Sequence, residues 1–555
     1  MNRFAELLDR LSFEPSRNGK LRLMTDYFRR TEDPERGYAL AALTGALAFR
    51  HAKPAAVRAL IAERMDPALF AMSYDFVGDL SETVALLWGA TGVVASRPAG
   101  SNHPPLTLSE IVETLSRAGR LDLGRLLASW LDSLDETGRW ALLKLITGAL
   151  RVGVSARLAK TAVAELGQVE PNDIEQVWHG IAPPYLPLFA WLEGRAEKPS
   201  SIDPAPFRPA MLAQPLDEKN FDDLDPRDFI GEWKWDGIRL QVSAGRDPSG
   251  ARILRLFSRT GEETTGAFPD LADALGRIEA DAFALDGELL VVRDGRVQPF
   301  GALQQRLNRK SVTAKLVSEF PLRLRAYDII AEGDEDLRGA PFEERRNRLE
   351  AFVANSQSPA LDISPLVRFD DWQTLAAARA DPAAAGAGDD AAAVEGVMLK
   401  RRDSIYTPGR PTGPWFKWKR DPFNIDAVLM YAQRGHGKRS SFYSDYTFGV
   451  WRTSEAGEEL VPVGKAYFGF TDEELAKIDR HVRAHTIEKF GPVRVVEHGL
   501  NAGLVFEIAF EGLNRSTRHK SGVAMRFPRI ARIRWDKPAA EADRIETLEA
   551  MLPPT

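Results

Sequence analysis

The chain has 555 residues, 44% hydrophobic and 27% charged, and its 73 Lys and Arg against 79 Asp and Glu leave a net charge of −6. That balance excludes a disordered chain and a histone-like polycation, and the length exceeds the roughly 250–300 residues one core sustains, so three or four domains are expected. The sequence contains no cysteine, which removes disulfides, thiolate zinc sites, iron–sulfur clusters and cysteine nucleophiles.

The first residues, MNRFAELLDRLSFEPS, are amphipathic and charged, without the apolar core of a signal peptide. The apolar-leaning stretches at 38–49 and 83–95 fall short of the roughly 20 residues that span a bilayer. A cytoplasmic protein with no membrane segment is expected. Residues 1–200 read as an all-α domain: apolar residues recur at three and four spacing in FAELLDRL, LGRLLASWLDSL and WALLKLITGAL. No fixed-period repeat favours a solenoid. The stretch 198–209, KPSSIDPAPFRP, carries four prolines and reads as a stiff linker.

Residues 207–420 change texture. Apolar or alternating runs (FIGEWKWDGIRLQVSA, ARILRLFSR, FALDGELLVV, RLRAYDII, VEGVMLKR, PWFKWKR) alternate with charged helical segments such as FEERRNRLEAFV, an α+β pattern. Within it, residues 381–393 (DPAAAGAGDDAAA) read as a mobile surface loop. A second boundary falls at Asp421-Pro422. Residues 423–540 then show five strands and one helix, expected from 471 to 489, which fits a small OB-type barrel. Residues 541–555, like the acidic stretch from Pro538 before them, read as a peripheral tail.

The densest chemical signal is Glu232-Trp233-Lys234-Trp235-Asp236-Gly237-Ile238-Arg239. A lysine between two tryptophans at a strand end is open to desolvation, and a neutral amine is a competent nucleophile. Alone, such a lysine is ordinary on an edge strand. Downstream, Ser258-Arg259 precede Asp286-Gly287-Glu288, whose alternate carboxylates share a strand face. Paired carboxylates without His or Cys suit Mg²⁺ or Mn²⁺. Tyr327-Asp328 offers a ring that can stack on a base, Glu395-Gly396 another lone acid, and Lys417-Trp418-Lys419 two lysines on one face that can hold a phosphate.

Taken in order, these motifs resemble the nucleotidyltransferase superfamily of ATP-dependent DNA ligases, RNA ligases and capping enzymes. The signature K-x-D-G, S-R, D-G-E, aromatic-D, E-G, K-x-K is present at the positions just named. A further R-x-D-K, typical of the DNA ligases, stands at Arg534-Trp535-Asp536-Lys537. LITGALRVGVS at 145–155 resembles the helical DNA-binding domain of larger ligases. GHGKR at 435–439 with the following strands resembles their barrel. GHGK is not a P-loop, since it lacks G-x-x-x-x-G-K-[ST] and no strand-to-helix turn follows. The architecture is similar to that of a bacterial ATP-dependent DNA ligase. Phenylalanine is commoner where Tyr327 stands, and the ring keeps its stacking face.

The resemblance implies an α-domain, an ATP-grasp-like adenylation domain and an OB barrel, with ATP, Mg²⁺ or Mn²⁺, and nicked duplex DNA as cofactors and partner. Lys234 and Asp236 would be catalytic, with Lys234 carrying AMP. Glu232 would lie at the adenine edge and Tyr327 on its face, with Arg239, Arg259, Glu288, Lys417 and Lys419 around ribose and phosphate. Asp286, Glu288 and Glu395 would serve the metal. Arg534, Asp536 and Lys537 would orient the leaving pyrophosphate, and Arg151, Arg259, Lys438 and Arg439 would meet DNA. A barrel residue that serves only the first step requires domain closure, with a hinge expected at 420–423. The site is complete in one chain, so a monomer is expected.

Local charge agrees with a nucleic-acid partner: residues 400–420 hold seven basic residues and one acid, and 515–537 hold eight and one. The alternatives are an RNA ligase or capping enzyme, and a DNA-binding scaffold with a dead core. The helical N-terminal domain and R-x-D-K oppose the first; intact Lys234, Asp286, Glu288 and Glu395 oppose the second. An NAD-dependent ligase would need a cysteine zinc site.

Overall fold

The computed structural model describes residues 1–90, 106–148, 150–178, 180–199, 203–307, 309, 311–434, 442–455, 457–517 and 519–552. Residues before 200 are helical, and their apolar faces meet in one cluster that includes Phe4, Leu8, Phe28, Leu127, Leu142 and Phe189. Side-chain caps start several of these helices: Ser16 accepts from the Gly19 amide and Ser155 from the Leu158 amide. Between the helices Glu136–Thr147 and Ala156–Gly167 the chain bends through Gly148, Arg151 and Gly153, all at positive φ. Lys20 pins this bend by donating to the Val152 carbonyl at 2.5 Å.

From residue 203 the chain lies on the middle region rather than hanging free. Asp203 pairs with Arg255, and the buried Phe207 ring meets Phe257 at 5.4 Å. Two sheets build this region. One runs Gln214–Pro215, Trp415–Lys419, Val394–Arg401, Phe229–Trp235, Leu366–Val367; the other has Arg252–Ser258, Ile238–Arg246, Phe283–Arg293 and Leu322–Glu332 at its centre. The helix Phe342–Ser356 seals the second sheet through Leu349 and Phe352. The run FIGEWKWDGIRLQVSA is two strands in different sheets, parted at Asp236-Gly237.

The alanine-rich stretch at 381–393 is not the mobile loop its composition suggests. It forms short helical turns, Ala383–Ala387 and Gly388–Ala393, held by Asp390, which accepts from Arg325 at 3.0 Å and from the Val297 amide at 2.8 Å. Two hydrogen bonds to one carboxylate outweigh a permissive composition.

The C-terminal region is a β-rich OB-like barrel. Its strands run Gly457–Ala466, Tyr443–Ser454, Phe423–Arg434, Val493–Val496, Thr486–Phe490, with Val505–Phe510 bridging Phe423–Arg434 to Arg529–Arg534. The helix Asp472–Ala484 stops short of 489, because Thr486–Phe490 pairs with Val493–Val496 as an edge strand. A separate ribbon of Gly512–Arg515 and Val523–Arg526 completes nine strands among the described residues, against five expected. The unforeseen strands are short, four to six residues each. The stretch after 538 is not peripheral: Ala539, Ala542, Ile545 and Leu548 are buried, and Trp451 donates its indole N–H to the Ala539 carbonyl at 2.7 Å. Glu546 and Glu549 take the outward positions of the helix Ile545–Ala550, and Ile545 and Leu548 close the barrel. Among the described residues no helix is long and apolar enough to cross a membrane.

Leu548 is fully buried in the barrel core, so Leu548→Ala is expected to cost about 2–5 kcal/mol. A lowered barrel melting transition in calorimetry checks this; an unchanged one would return the segment to a tail.

Candidate active site

Register decides which side chains meet. Lys234 lies opposite Gly396 and Glu232 opposite Met398, while Trp415, Lys417 and Lys419 lie opposite Lys400, Met398 and Gly396. Alternate residues of a strand share a face. Glu232, Lys234, Met398, Lys400, Trp415, Lys417 and Lys419 therefore belong to one side. Trp233, Trp235, Val397, Leu399, Phe416 and Trp418 belong to the other, where they pack in an apolar cluster. The tryptophans flanking Lys234 thus brace its strand from behind and do not sandwich its amine.

At Asp236-Gly237 the chain crosses to the second sheet. A Cβ on Gly237 would stand 2.4 Å from the Leu289 carbonyl oxygen, so only glycine fits the crossing. The Asp236 amide donates to Ala393 at 2.8 Å. Beyond it, Arg239 lies opposite Glu288. Two irregularities aim further side chains. Asp286 pairs with Asp328 but Gly287 with Ala326, which leaves Tyr327 as the extra residue of a bulge. The register also shifts between Val394 and Gly396, with Gly396 at φ +147, and this turns Glu395 to Lys234.

These elements enclose a cleft of about 460 Å³. Lys234 forms an ion pair with Glu395, and Lys419 reaches the same carboxylate at 3.4 Å. Burial would raise Glu395, yet Lys234 and Lys419 hold it below its ordinary value. Burial lifts Glu288 to about 8 against the pull of Lys234 and Arg239. Lys417 is pushed down by burial and by the nearby cations Lys234, Arg410, Lys419 and Arg259. Such a cluster favours a bound anion. The mouth of the cleft, with Arg259, Arg410 and Lys417, is cationic, and the inner end is lined by Tyr327, Met398 and Trp415.

The cleft therefore unites Glu232, Lys234, Asp236, Arg239, Arg259, Glu288, Tyr327, Glu395 and Lys417, with Lys419 on its Glu395 side. Asp286 does not join them. It is 1% exposed and takes the Arg239 guanidinium at 2.6 Å and the Tyr406 hydroxyl, so it anchors Arg239. No three His, Asp or Glu among the described residues form a ready metal cluster. Arg534, Asp536 and Lys537 also lie elsewhere: Arg534 pairs with Asp536 at 2.9 Å, and Lys537 with Asp426 at 2.6 Å. The barrel instead offers Arg526, which pairs with Asp236 and lies 4.4 Å over the Phe300 ring. Arg151 is exposed on the helical domain. Lys438 and Arg439 lie outside the described residues. Sequence reasoning missed Arg410, Arg526, Arg346 and Lys400; Lys400 was legible as an alternate residue from Gly396, the others were not.

Comparison with known proteins agrees with this architecture. The DNA ligase N terminus model matches residues 1–164, the ATP dependent DNA ligase domain model matches 210–419, and the ATP dependent DNA ligase C terminal region model matches 439–537. A DNA ligase 1 of Korarchaeum cryptofilum is 32% identical over 98% of this chain and 97% of its own. The chain belongs to the ATP-dependent DNA ligase family. A probable DNA ligase of Koribacter versatilis is 35% identical over 74% of this chain and 71% of its own. The solved structure Pmar-Lig_PreS3 covers 96% of this chain at 15% identity with a TM-score of 0.56, a likeness of fold. Membership makes the chain an enzyme that uses ATP in joining DNA, with a helical N-terminal domain, a nucleotidyltransferase core and an OB-like barrel.

Gly237→Ala is expected to displace the crossing and lower nucleotide-dependent labelling of the protein at least about tenfold, since a contact of 2.4 Å to backbone cannot relax cheaply. Gly266→Ala, where an added Cβ meets nothing within 4 Å, is the control. Equal labelling of the two would dismiss the constraint.

Proposed function

We propose that the protein seals nicks in duplex DNA through an AMP carried on Lys234. The carrying observation is the placement of Lys234 between Glu395 and the cationic group around Lys417. Freed from Glu395, the Lys234 ammonium gives up a proton to solvent and the neutral amine attacks the α-phosphorus of ATP; an N–P bond forms, the bond to the leaving oxygen breaks, and pyrophosphate departs. A 5′-phosphate oxygen at the nick then displaces Lys234 from the adenylate. The 3′-hydroxyl attacks that phosphate, loses its proton, and AMP leaves. Each displacement is in line, so alignment and charge neutralisation carry the rate.

The chain's own residues have divided work in this reading. Lys417, with Arg259 and Arg410 at the mouth, holds phosphate oxygens. Asp286 fixes Arg239 toward the nucleotide. Glu288 and Glu395 fit a hard divalent ion such as Mg²⁺ or Mn²⁺ when nucleotide phosphates and water supply the remaining ligands, and that ion would neutralise phosphate charge. Arg534 and Lys537 are held on Asp426, so their service to pyrophosphate requires the barrel to rotate about 420–422, the short link between Trp415–Lys419 and Phe423–Arg434. The present pairing of Arg526 with Asp236 suits the later steps. The protein acts in this reading as a cytoplasmic monomer on nicked DNA.

Incubation with α-labelled ATP and Mg²⁺, followed by denaturation, is expected to leave label on wild type and none on Lys234→Ala. Nicked duplex should chase the label and yield sealed strand. A wild type that stays unlabelled after pyrophosphate pretreatment overturns the reading. Because Glu288 holds a proton below about pH 8, a divalent ion must displace that proton to bind it. The Mg²⁺ needed for half-maximal labelling is therefore expected to rise as pH falls from 8.5 to 6.5, up to about tenfold per unit; a flat requirement would remove Glu288 from the ion's ligands.

A further inference from the structure

One ribbon of the barrel brings both signs of charge to the core. Glu511 is the single residue between Val505–Phe510 and Gly512–Arg515, and its amide donates to the Arg526 carbonyl at 2.9 Å. The side chains of Glu511 and Arg526 thus start from adjacent positions. Arg526 pairs with Asp236, and Glu511 accepts from the Lys419 ammonium at 2.8 Å. Lys419 also reaches Glu395, the partner of Lys234, at a longer 3.4 Å. The ribbon borders a second cavity of about 610 Å³, which shares Asp236, Glu395 and Arg526 with the cleft.

The lysine is the informative partner. Lys417 and Lys419 are alternate residues of Trp415–Lys419 and share a face. Lys419 is one of the cations that press on Lys417, together with Lys234, Arg410 and Arg259. Within the core only Glu395 answers Lys234 and Lys419, and it answers both. Glu511 is therefore an anion delivered to a cationic group from another domain. A carboxylate oxygen and a phosphate oxygen are equivalent acceptors for an ammonium. Lys419 already divides its donors between two carboxylates, and a phosphate brought to the same ammonium would repel both.

We propose, on the adenylation reading above, that Glu511 stands in for phosphate at Lys419, so that seating of the barrel and binding of triphosphate compete for one ammonium. Arriving triphosphate takes Lys419 and loosens the barrel. Departing pyrophosphate returns Lys419 to Glu511 and seats the barrel again. Glu511 touches no reacting atom; it is a positioning residue for the barrel. The linkage is reciprocal: the factor by which seating weakens nucleotide binding is the factor by which nucleotide weakens seating. The pair is partly exposed, which limits that factor to about threefold to fivefold.

The chain has no cysteine, so a dye pair can be carried on Asp273→Cys and Glu473→Cys, exposed positions on a core helix and a barrel helix. Energy transfer between the dyes reads the seating of the barrel in protein first discharged with pyrophosphate. The probe is α,β-methylene ATP, which binds but cannot pass on its AMP. Wild type is expected to change its transfer as the probe is added. Glu511→Gln is expected to start part-way along that change and to half-saturate at about threefold lower probe. Without dyes, the same substitution is expected to lower the KM of ATP for self-labelling about threefold and to slow the sealing of a nick that already carries the 5′-adenylate. Glu511→Asp should fall between wild type and Glu511→Gln. Movement of the two steps in opposite directions is the signature, since a merely structural Glu511 would weaken both. Wild type that labels and seals, with a folded Glu511→Gln of unchanged KM or with both steps impaired, overturns this proposal alone. Wild type that takes no label after pyrophosphate pretreatment overturns the adenylation reading and this proposal with it.

Discussion

The site depends on one backbone crossing. At Asp236-Gly237 the chain leaves one sheet and enters the other, and the second sheet approaches so closely that a Cβ at 237 would meet the Leu289 carbonyl at 2.4 Å. This crossing sets Lys234 at the mouth of one sheet and Glu288 and Tyr327 on the other, facing the same cleft. A strand continuing straight, as the run of alternating residues suggests, would carry Arg239 away from Glu288 and leave two half-sites. The glycine of K-x-D-G is thus a requirement of sheet geometry.

Around that crossing the charges are arranged in layers. The mouth holds more cations than carboxylates can balance, which pushes Lys417 down after burial has begun to do so. Triphosphate and DNA phosphate are the natural counter-charge for such a mouth. Deeper in, every charge is matched: Arg239 with Asp286, Arg345 with Asp328, and Glu232 with Lys400 and Arg346. The outer layer is left with unbalanced cations. The inner layer is paired, and a buried pair deprived of one member would be far more costly than the pair itself.

The barrel is engaged through Arg526 and Asp236, and through Lys419 and Glu511 at 2.8 Å. Its R-x-D-K residues remain occupied with Asp426 and with one another. One barrel thus carries two basic groups, Arg526 beside the cleft and Arg534 with Lys537 held on Asp426. Burial of Ile545 and Leu548 makes the terminal helix travel with the barrel as one body.

Much of this was legible from residues alone. Lys234, Glu288, Tyr327, Glu395 and Lys417 came together as a set through the order of their motifs, which resembles the nucleotidyltransferase signature, since each alone is an ordinary strand residue. The division into helical, mixed and β-rich parts follows from the change of apolar period near residues 200 and 420. What local pattern could not decide was register across distance. Lys234 and Glu395 are separated by 161 positions, Glu232 and Arg346 by 114, and no short-range rule says which strand or helix comes to lie beside which. For the same reason the motifs do not show that Asp286 holds Arg239 and Tyr406, or that Arg526 and not Arg534 stands beside Asp236. The sequence by itself determined which reactive groups the protein owns; tertiary structure decided which of them keep free valence toward the cleft, because a carboxylate or guanidinium is spent on whichever partner folding brings nearest.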